Sequence, residues 1–520
     1  MTKQLAGAKP QVGGRQVRVR AAHASACLMA SVLALSYSLA CAQSPRLSQP
    51  IGEVEQLRGA GLAQSEGQLP RILGRGLPLL EGDRLTTADN AIAVIKLNDG
   101  TKMTLRPSTE LVLRQYSYSA SNANPGVNPG VNPGVNPGVN PGVNPSVNTM
   151  VLQLLRGGLR ALTGLISKTS PNSAKIQTST ATIGIRGTDF DARICTSGEC
   201  GASTAAPTPS AIAASARVLR QQGLLSALDE QGQRRVLSPG AGIYPGDTVE
   251  TASNATALLA FRDESKISLG ASTRFRVDDF AFDAADLTSS RYLMSLFRGS
   301  LRAITGVIGR SNQKNVRFTT STATVGIRGT EFAMACTGGC ADPSTAGRTA
   351  TSVDLKSGLT VFTFDGVLLV SLTPPGLAGQ PLTPIELVAG RGLVFTGQPG
   401  AVGQPPVEFL SIPPSELLTE PLAGISIPVE LFSQALVADG TEGLFVFVRE
   451  GHIVLSTERQ QIDLGRGEAA VAGLALDVVR LQNIPSHVVG DTVPLPTAAN
   501  INIFGVRPLR STDPICRPTP

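Results

Sequence analysis

Apolar and polar residues alternate in short runs along most of this chain, and turn residues break the runs. Ala91-Ile-Ala-Val-Ile-Lys-Leu97 is followed by Asn98-Asp99-Gly100 and then Thr101-Lys-Met-Thr-Leu105, a strand–turn–strand pattern. Period-two alternation recurs in the TSTAT run, where Thr178, Thr180 and Thr182 share one face. Gly82-Asp83 and Gly246-Asp247 mark tight turns that feed the next strand. LRGGLRAL (155–162) has some helical character, but its paired glycines and its neighbours favour a strand or bulge. The pattern predicts an all-β protein.

The pattern also repeats. TSTATIGIRGTDF (178–190) and TSTATVGIRGTEF (320–332) agree at eleven of thirteen positions, at an offset of 142. The same offset aligns LRGGLRALTGLI (155–166) with FRGSLRAITGVI (297–308). Upstream, LLEGDRLTTADNAIAVIKLNDGTKMTL (79–105) aligns with IYPGDTVETASNATALLAFRDESKISL (243–269), at an offset of 164. The difference of 22 residues is an insertion in the first copy. It coincides with six tandem tetrapeptides at 124–147, five NPGV and one NPSV. Asn-Pro-Gly is turn chemistry with nothing to bury, so the array reads as an expanded surface loop, with a spacer as the alternative. A second repeat aligns GLTVFTFDGVLLV (358–370) with GLFVFVREGHIVL (443–455), each followed by a Gly-rich strand, IELVAGRG (385–392) and IDLGRG (462–467).

Charge and composition narrow the function. Gly and Pro are abundant, at 55 and 36 residues, Trp is absent, and charged residues are 16% of the chain, which suits many short strands and turns. The net charge of +6 is concentrated at the N-terminus, where Lys3, Lys9, Arg15, Arg18 and Arg20 stand without an acid. Residues 1–42 read as a secretory signal peptide, with a basic region to Arg20, an apolar run Ala24–Ala40 and an Ala40-Cys41-Ala42 cleavage pattern. Periplasmic location follows, with the cell surface or the medium as alternatives. No stable transmembrane span is expected after cleavage. The near-neutral remainder offers no nucleic-acid footprint.

Candidate chemistry is sparse. Only His452 and His487 lie beyond the leader, which excludes a multi-histidine metal site. No nucleophile elbow, phosphate loop or dinucleotide-binding glycine motif is present. No catalytic residue, cofactor or metal is assigned, and the protein reads as non-enzymatic. Cys195/Cys200 and Cys336/Cys340 are close pairs that read as local disulfides in an exported protein. Four thiolates holding zinc is the rival reading. Cys516 has no close partner in the sequence.

Together, the GD-x-[LV]-x-T turn, the DG strand pair, the RG-x-[LV]-R strand and the doubled T-x-T-A-T-x-G-[IV]-RGT-[DE]-F motif resemble the FecR domain. The segments at 357–397 and 442–473 look like the hairpins that follow RGTEF in that family. The resemblance covers about 51–200, 215–397 and 440–475. It implies an all-β exported module, sandwich- or solenoid-like, that contacts a protein partner. In the best-known members this module sits on a membrane regulator that reads an iron-siderophore receptor and controls a sigma factor. This chain lacks the cytosolic anti-sigma helix bundle, which puts direct sigma-factor control in doubt.

The expected organisation is a signal peptide (1–42), copy 1 (43–200), a linker (201–214), copy 2 with its tail hairpin (215–397), a Pro-rich linker (398–439) and a second tail (440–520). Two heads and two tails suggest nesting, with the second tail completing copy 1. Within the motif, Arg186, Gly187, Thr188, Arg328, Gly329 and Thr330 are the candidate partner contacts. The structural alternative has the arginines in an ion pair, with Asp189 or Glu331 as the acid, or clamping a backbone carbonyl, the glycines in a bulge or a close backbone approach, the threonines capping a turn, and Phe190 and Phe332 in the core. The expected function is binding of an envelope protein in sensing or assembly. The alternative is a structural or adhesive surface protein that uses the repeat array as a spacer.

Overall fold

A computed structural model describes residues 49–119, 148–169, 173–196, 200, 209–337, 358–372, 383–395, 407–414, 417, 421–438, 440–475 and 477–489. Residues 1–42, read as a signal peptide, the NPGV array, Cys340 and Cys516 lie outside the described residues. Among the described residues no helix is long and apolar enough to cross a membrane.

The all-β class holds. Two large sheets each curl around their own apolar core. The heads run through equivalent pairings. In the first sheet Ile92–Leu97 pairs with Lys102–Leu105, which pairs with Gly158–Leu162. In the second, Thr256–Phe261 pairs with Lys266–Leu269, which pairs with the C-terminal half of Arg291–Ile304. The LRGGLRAL segment is strand, as Thr149–Arg156 and Gly158–Leu162. Gly157 between them has a positive φ of 76° and packs where any Cβ would strike Ser108 and Thr109. One-turn helices, Leu165–Thr169 and Val307–Ser311, follow in both copies.

The tails close the sheets. Ala323–Thr337 pairs antiparallel with Gly358–Leu372, from Ala323↔Leu372 to Thr337↔Gly358. Thr182–Cys195 pairs in the same way with Gly443–Ser456, from Thr182↔Ser456 to Cys195↔Gly443. Leu444, Val446, Val448, Ile453 and Leu455 therefore belong to the first sheet's core, and the whole second head lies between these two strands in the chain. Gly443–Ser456 is buried on both faces, because Phe445 and Phe447 point away from that core into a separate cluster with Leu481 and Val488. That accounts for its nearly unbroken apolar run, LFVFV, where a half-buried strand would alternate.

The two segments read as linkers are partly docked. In the first, Ala211 N donates to Gln482 O (2.7 Å) and Ile212 N to Gly467 O (2.9 Å). In the second, Val407–Leu410 adds a strand to Arg391–Phe395, and Leu417 is buried against Ala333, Ala335 and Phe362. Proline and glycine content signalled an irregular backbone, but it carried no information about docking.

Candidate functional site: paired glycine bulges and a buried ionic seam

The GIRGT motif lies mid-strand in both sheets and breaks the ladder. Pairing shifts between Arg186 and Asp189, and again between Arg328 and Glu331. Gly187 and Gly329 sit at φ of 67° and 58°, the left-handed region that glycine enters without strain. The extra residue reverses the inward–outward parity. Ile183 and Ile185 face the core before the bulge, and Phe190 and Ala192 face it afterwards. Val325 and Ile327 give way in the same manner to Phe332 and Met334.

The tail strands carry a matching break. Gly451 and Gly366 both have φ of 76°. A Cβ on Gly451 would run into the carbonyl oxygen of Gly187, and one on Gly366 into that of Gly329. Parity changes here too, from Leu444, Val446 and Val448 to Ile453 and Leu455. The two bulges face each other, so both strands stay in pairing. Sequence reading assigned bulges to Gly187 and Gly329 and missed the facing pair. The signal was present in the eight-residue spacing that places a glycine after Asp365 and after Glu450.

Thr188 and Thr330 are buried. Thr188 N donates to Thr163 Oγ1 (2.7 Å), Thr163 N returns a bond to Thr188 O (3.0 Å), and Thr188 Oγ1 donates to His452 O (2.9 Å). Thr330 and Thr305 repeat the reciprocal backbone clamp at 3.0 and 3.1 Å. The threonines thus tie the bulge to the strand before the one-turn helix instead of capping a turn.

The arginine pairings differ from expectation. Asp189 takes both Nε and Nη2 of Arg160, at 3.0 and 2.7 Å, and Glu331 takes Arg302 at 2.9 and 2.8 Å. These are the arginines of the LRAL and LRAI segments, and the antiparallel register brings them beside the acids. Arg186 stands three residues from Asp189, but the bulge lies between them. Arg186 is half-buried and Arg328 is exposed. The copies also diverge where Phe364 aligns with Arg449. Arg302 stacks on the Phe364 ring (4.1 Å to the centroid), whereas Arg449 Nε donates to Asp191 Oδ2 (2.6 Å), which also pairs with Arg106.

Beside the first bulge, ionisable groups from both halves of the chain meet out of water. His452, opposite Arg186 in the ladder, is hydrogen-bonded through Nδ1 to Asp463 Oδ2 (2.9 Å). Glu468 pairs with Arg217 and accepts from Tyr244 Oη (2.8 Å) and Gly465 N (2.9 Å). Arg217 also donates to Gly240 O (3.0 Å), and Arg480 to Asp463 O (3.2 Å). Tyr244 packs so closely on Gly465 that a Cβ there would overlap its hydroxyl. Burial alone would raise the Asp463 carboxyl, but His452, Arg217 and Arg186 outweigh it and hold the group below its ordinary range. Burial, with Glu468 beside it, pushes the Tyr244 phenol well up. Arg480 is pushed down to about 10 by burial and by Arg217. The cluster joins the second head, through Arg217 and Tyr244, to the second tail, through Glu468 and Asp463. No sequence signal indicated it.

Cys195 and Cys200 form a disulfide (S–S 1.95 Å), and Cys336 is disulfide-bonded as well. Cys195 and Cys336 lie at the ends of equivalent strands of two different sheets.

This curled all-β architecture, with an RGT bulge closed by a tail strand, is the setting for a FecR-type segment. Residues 247–358 match the model of the FecR protein family, a stretch that falls in the second copy. Two crystal structures of a candidate anti-sigma factor from Parabacteroides distasonis, at 1.65 and 2.50 Å resolution, are similar to parts of this chain. They share 12% and 13% identity and cover 31% of this chain and 58% of their own, each with a TM-score of 0.21. The match thus spans little more than half of those proteins. No curated protein matches the chain.

Proposed function

We propose that this is an exported, non-enzymatic FecR-domain protein that binds a protein partner in the cell envelope, in sensing or assembly. The observation that carries this reading is the FecR family match at 247–358, joined to a second, similarly built sheet bearing the same RGT bulge. The leader at 1–42 supports export.

An all-β module can accept an extended segment of a partner at a sheet edge. Val407–Leu410 is the most suitable edge. Among the described residues its only strand partner is Arg391–Phe395, and it presents Phe409 at 61% exposure. In this reading main-chain hydrogen bonds hold the partner and Phe409 supplies an apolar contact.

The test is in-cell crosslinking of an affinity-tagged full chain, with mass spectrometry of what is captured. One envelope protein should be recovered, and Phe409→Arg should reduce its capture without changing expression. Capture of only peptidoglycan, surface polymer or further copies of this chain would replace this reading with a structural or adhesive one.

A further inference from the structure

The Cys195–Cys200 disulfide has a third soft-metal ligand beside it. Among the described residues one group of His, Cys, Asp and Glu donors has metal-site spacing. It comprises Cys195, Cys200 and His487, whose ligand atoms all lie within 4.8 Å of one another. Cys195 ends the RGT strand of the first sheet, and His487 stands on the helical turn Ser486–Val489, 292 positions further along the chain. Tertiary structure alone brings them together. We propose that reducing this disulfide converts the cluster into a Cys2His site for zinc.

Geometry and charge both favour the assignment. Tetrahedral zinc takes thiolates at about 2.3 Å and imidazole nitrogen at about 2.0 Å, so neighbouring ligand atoms stand roughly 3.5–3.8 Å apart. Once the sulfur–sulfur bond opens, small side-chain rotations reach that spacing from the observed one. The surroundings are apolar. Both cysteines are buried with Phe445, Leu481 and Val488, and the His487 ring meets Phe445 edge-on, 5.3 Å between centroids. Two thiolates and Zn2+ sum to zero charge, which such a setting accepts, whereas a bare thiolate pair would be strongly disfavoured there. A cavity of about 200 Å³, lined by Asn483 and Ile484 among others, shares Phe445 and Leu481 with the apolar cluster around the cysteines.

The chemistry balances with an external dithiol. Its two thiols reduce the protein disulfide to two cysteine thiols and are themselves oxidised to a disulfide. Zinc then binds the two thiolates and the imidazole, and the two thiol protons pass to solvent.

The test uses the full mature chain reduced with a phosphine, which does not itself compete as a thiol ligand. Zn2+ is titrated against a chromogenic chelator, and Co2+ is added in parallel to report tetrahedral thiolate coordination by its visible absorption. The reduced chain should take one zinc that the oxidised chain does not. His487→Gln should weaken binding at least tenfold, and Cys336→Ser should leave it unchanged. A folded reduced chain that takes no zinc would overturn the proposal. Zinc uptake unaffected by His487→Gln, or abolished by Cys336→Ser, would do so too. His487→Gln carries the test even if a Cys195 variant does not fold.

Discussion

Arg217 and Glu468 stand 251 positions apart and form an ion pair whose side chains are 2% and 1% exposed. Arg217 belongs to the first strand of the second head, and Glu468 to the tail that completes the first sheet. The contact therefore locks one half of the molecule to the other. Removing one partner of such a pair leaves a buried charge without compensation, at roughly 3–5 kcal/mol. Glu468→Gln should lower unfolding free energy by about that amount in urea titrations. Arg217→Met with Glu468→Leu should recover much of the loss. Equal stability of the single variant and the parent would mean that the pair is hydrated in solution.

The same interlocking governs fragmentation. Thr182–Cys195 is zipped along Gly443–Ser456 over nearly its whole length. A protease site engineered within 201–208 should yield two fragments that co-elute under native conditions and separate only in denaturant. Free release of a stable 43–200 fragment would contradict this pairing.

Two of the bulge glycines, Gly329 in the second sheet and Gly451 in the first, should differ sharply in tolerance. Alanine at Gly329 meets open space and bears only the left-handed backbone penalty, about 1–2 kcal/mol. Alanine at Gly451 bears the same penalty and also collides with the Gly187 carbonyl. Gly451→Ala should therefore destabilise by about 3 kcal/mol or more, and Gly329→Ala by about half as much. Chemical denaturation of both variants checks the order.

One turn is strained in the second copy alone. Glu264 has φ of 69°, where the aligned residue of the first copy is Gly100, at 88°. The left-handed conformation costs a residue with a Cβ about 1–2 kcal/mol, and glycine returns about 0.5–1 of that as unfolded-state entropy. The Glu264–Arg310 ion pair is exposed on both sides and adds little. Glu264→Gly should stabilise the protein by about 0.5–1 kcal/mol, seen as a higher unfolding midpoint. A lower midpoint would show that the ion pair outweighs the backbone.

Alkaline titration should be tied to unfolding. Burial pushes the phenols of Tyr116, Tyr244 and Tyr292 up from their ordinary value, with Asp99, Glu468 and Asp263 adding to the shift in turn. A raised folded-state value means that the neutral phenol is favoured in the fold. Its stabilisation is complete below about pH 10, the unfolded value, and is lost as pH rises above that. Absorbance at the phenolate band should show these three tyrosines ionising together with loss of β-sheet dichroism. Independent ionisation of all three in a folded protein would contradict their burial.

Local sequence determined the strands, their turns, the duplication and the glycine bulges, because alternation, Asp-Gly turns and positive-φ glycines act within a few residues. It also placed Phe190 and Phe332 in the cores, since strand parity after the bulge turns them inward. The salt bridges escaped it. Asp189 and Glu331 pair with Arg160 and Arg302, not with the arginines of their own motif, because antiparallel register decides which side chains lie side by side and register is not a local property. The lock of Arg217, Tyr244, His452, Asp463 and Glu468, and the meeting of His487 with the Cys195–Cys200 pair, came from tertiary structure alone. Each group is an ordinary polar residue in its own segment. Only the packing of distant segments removes water from around it and so obliges it to find a partner.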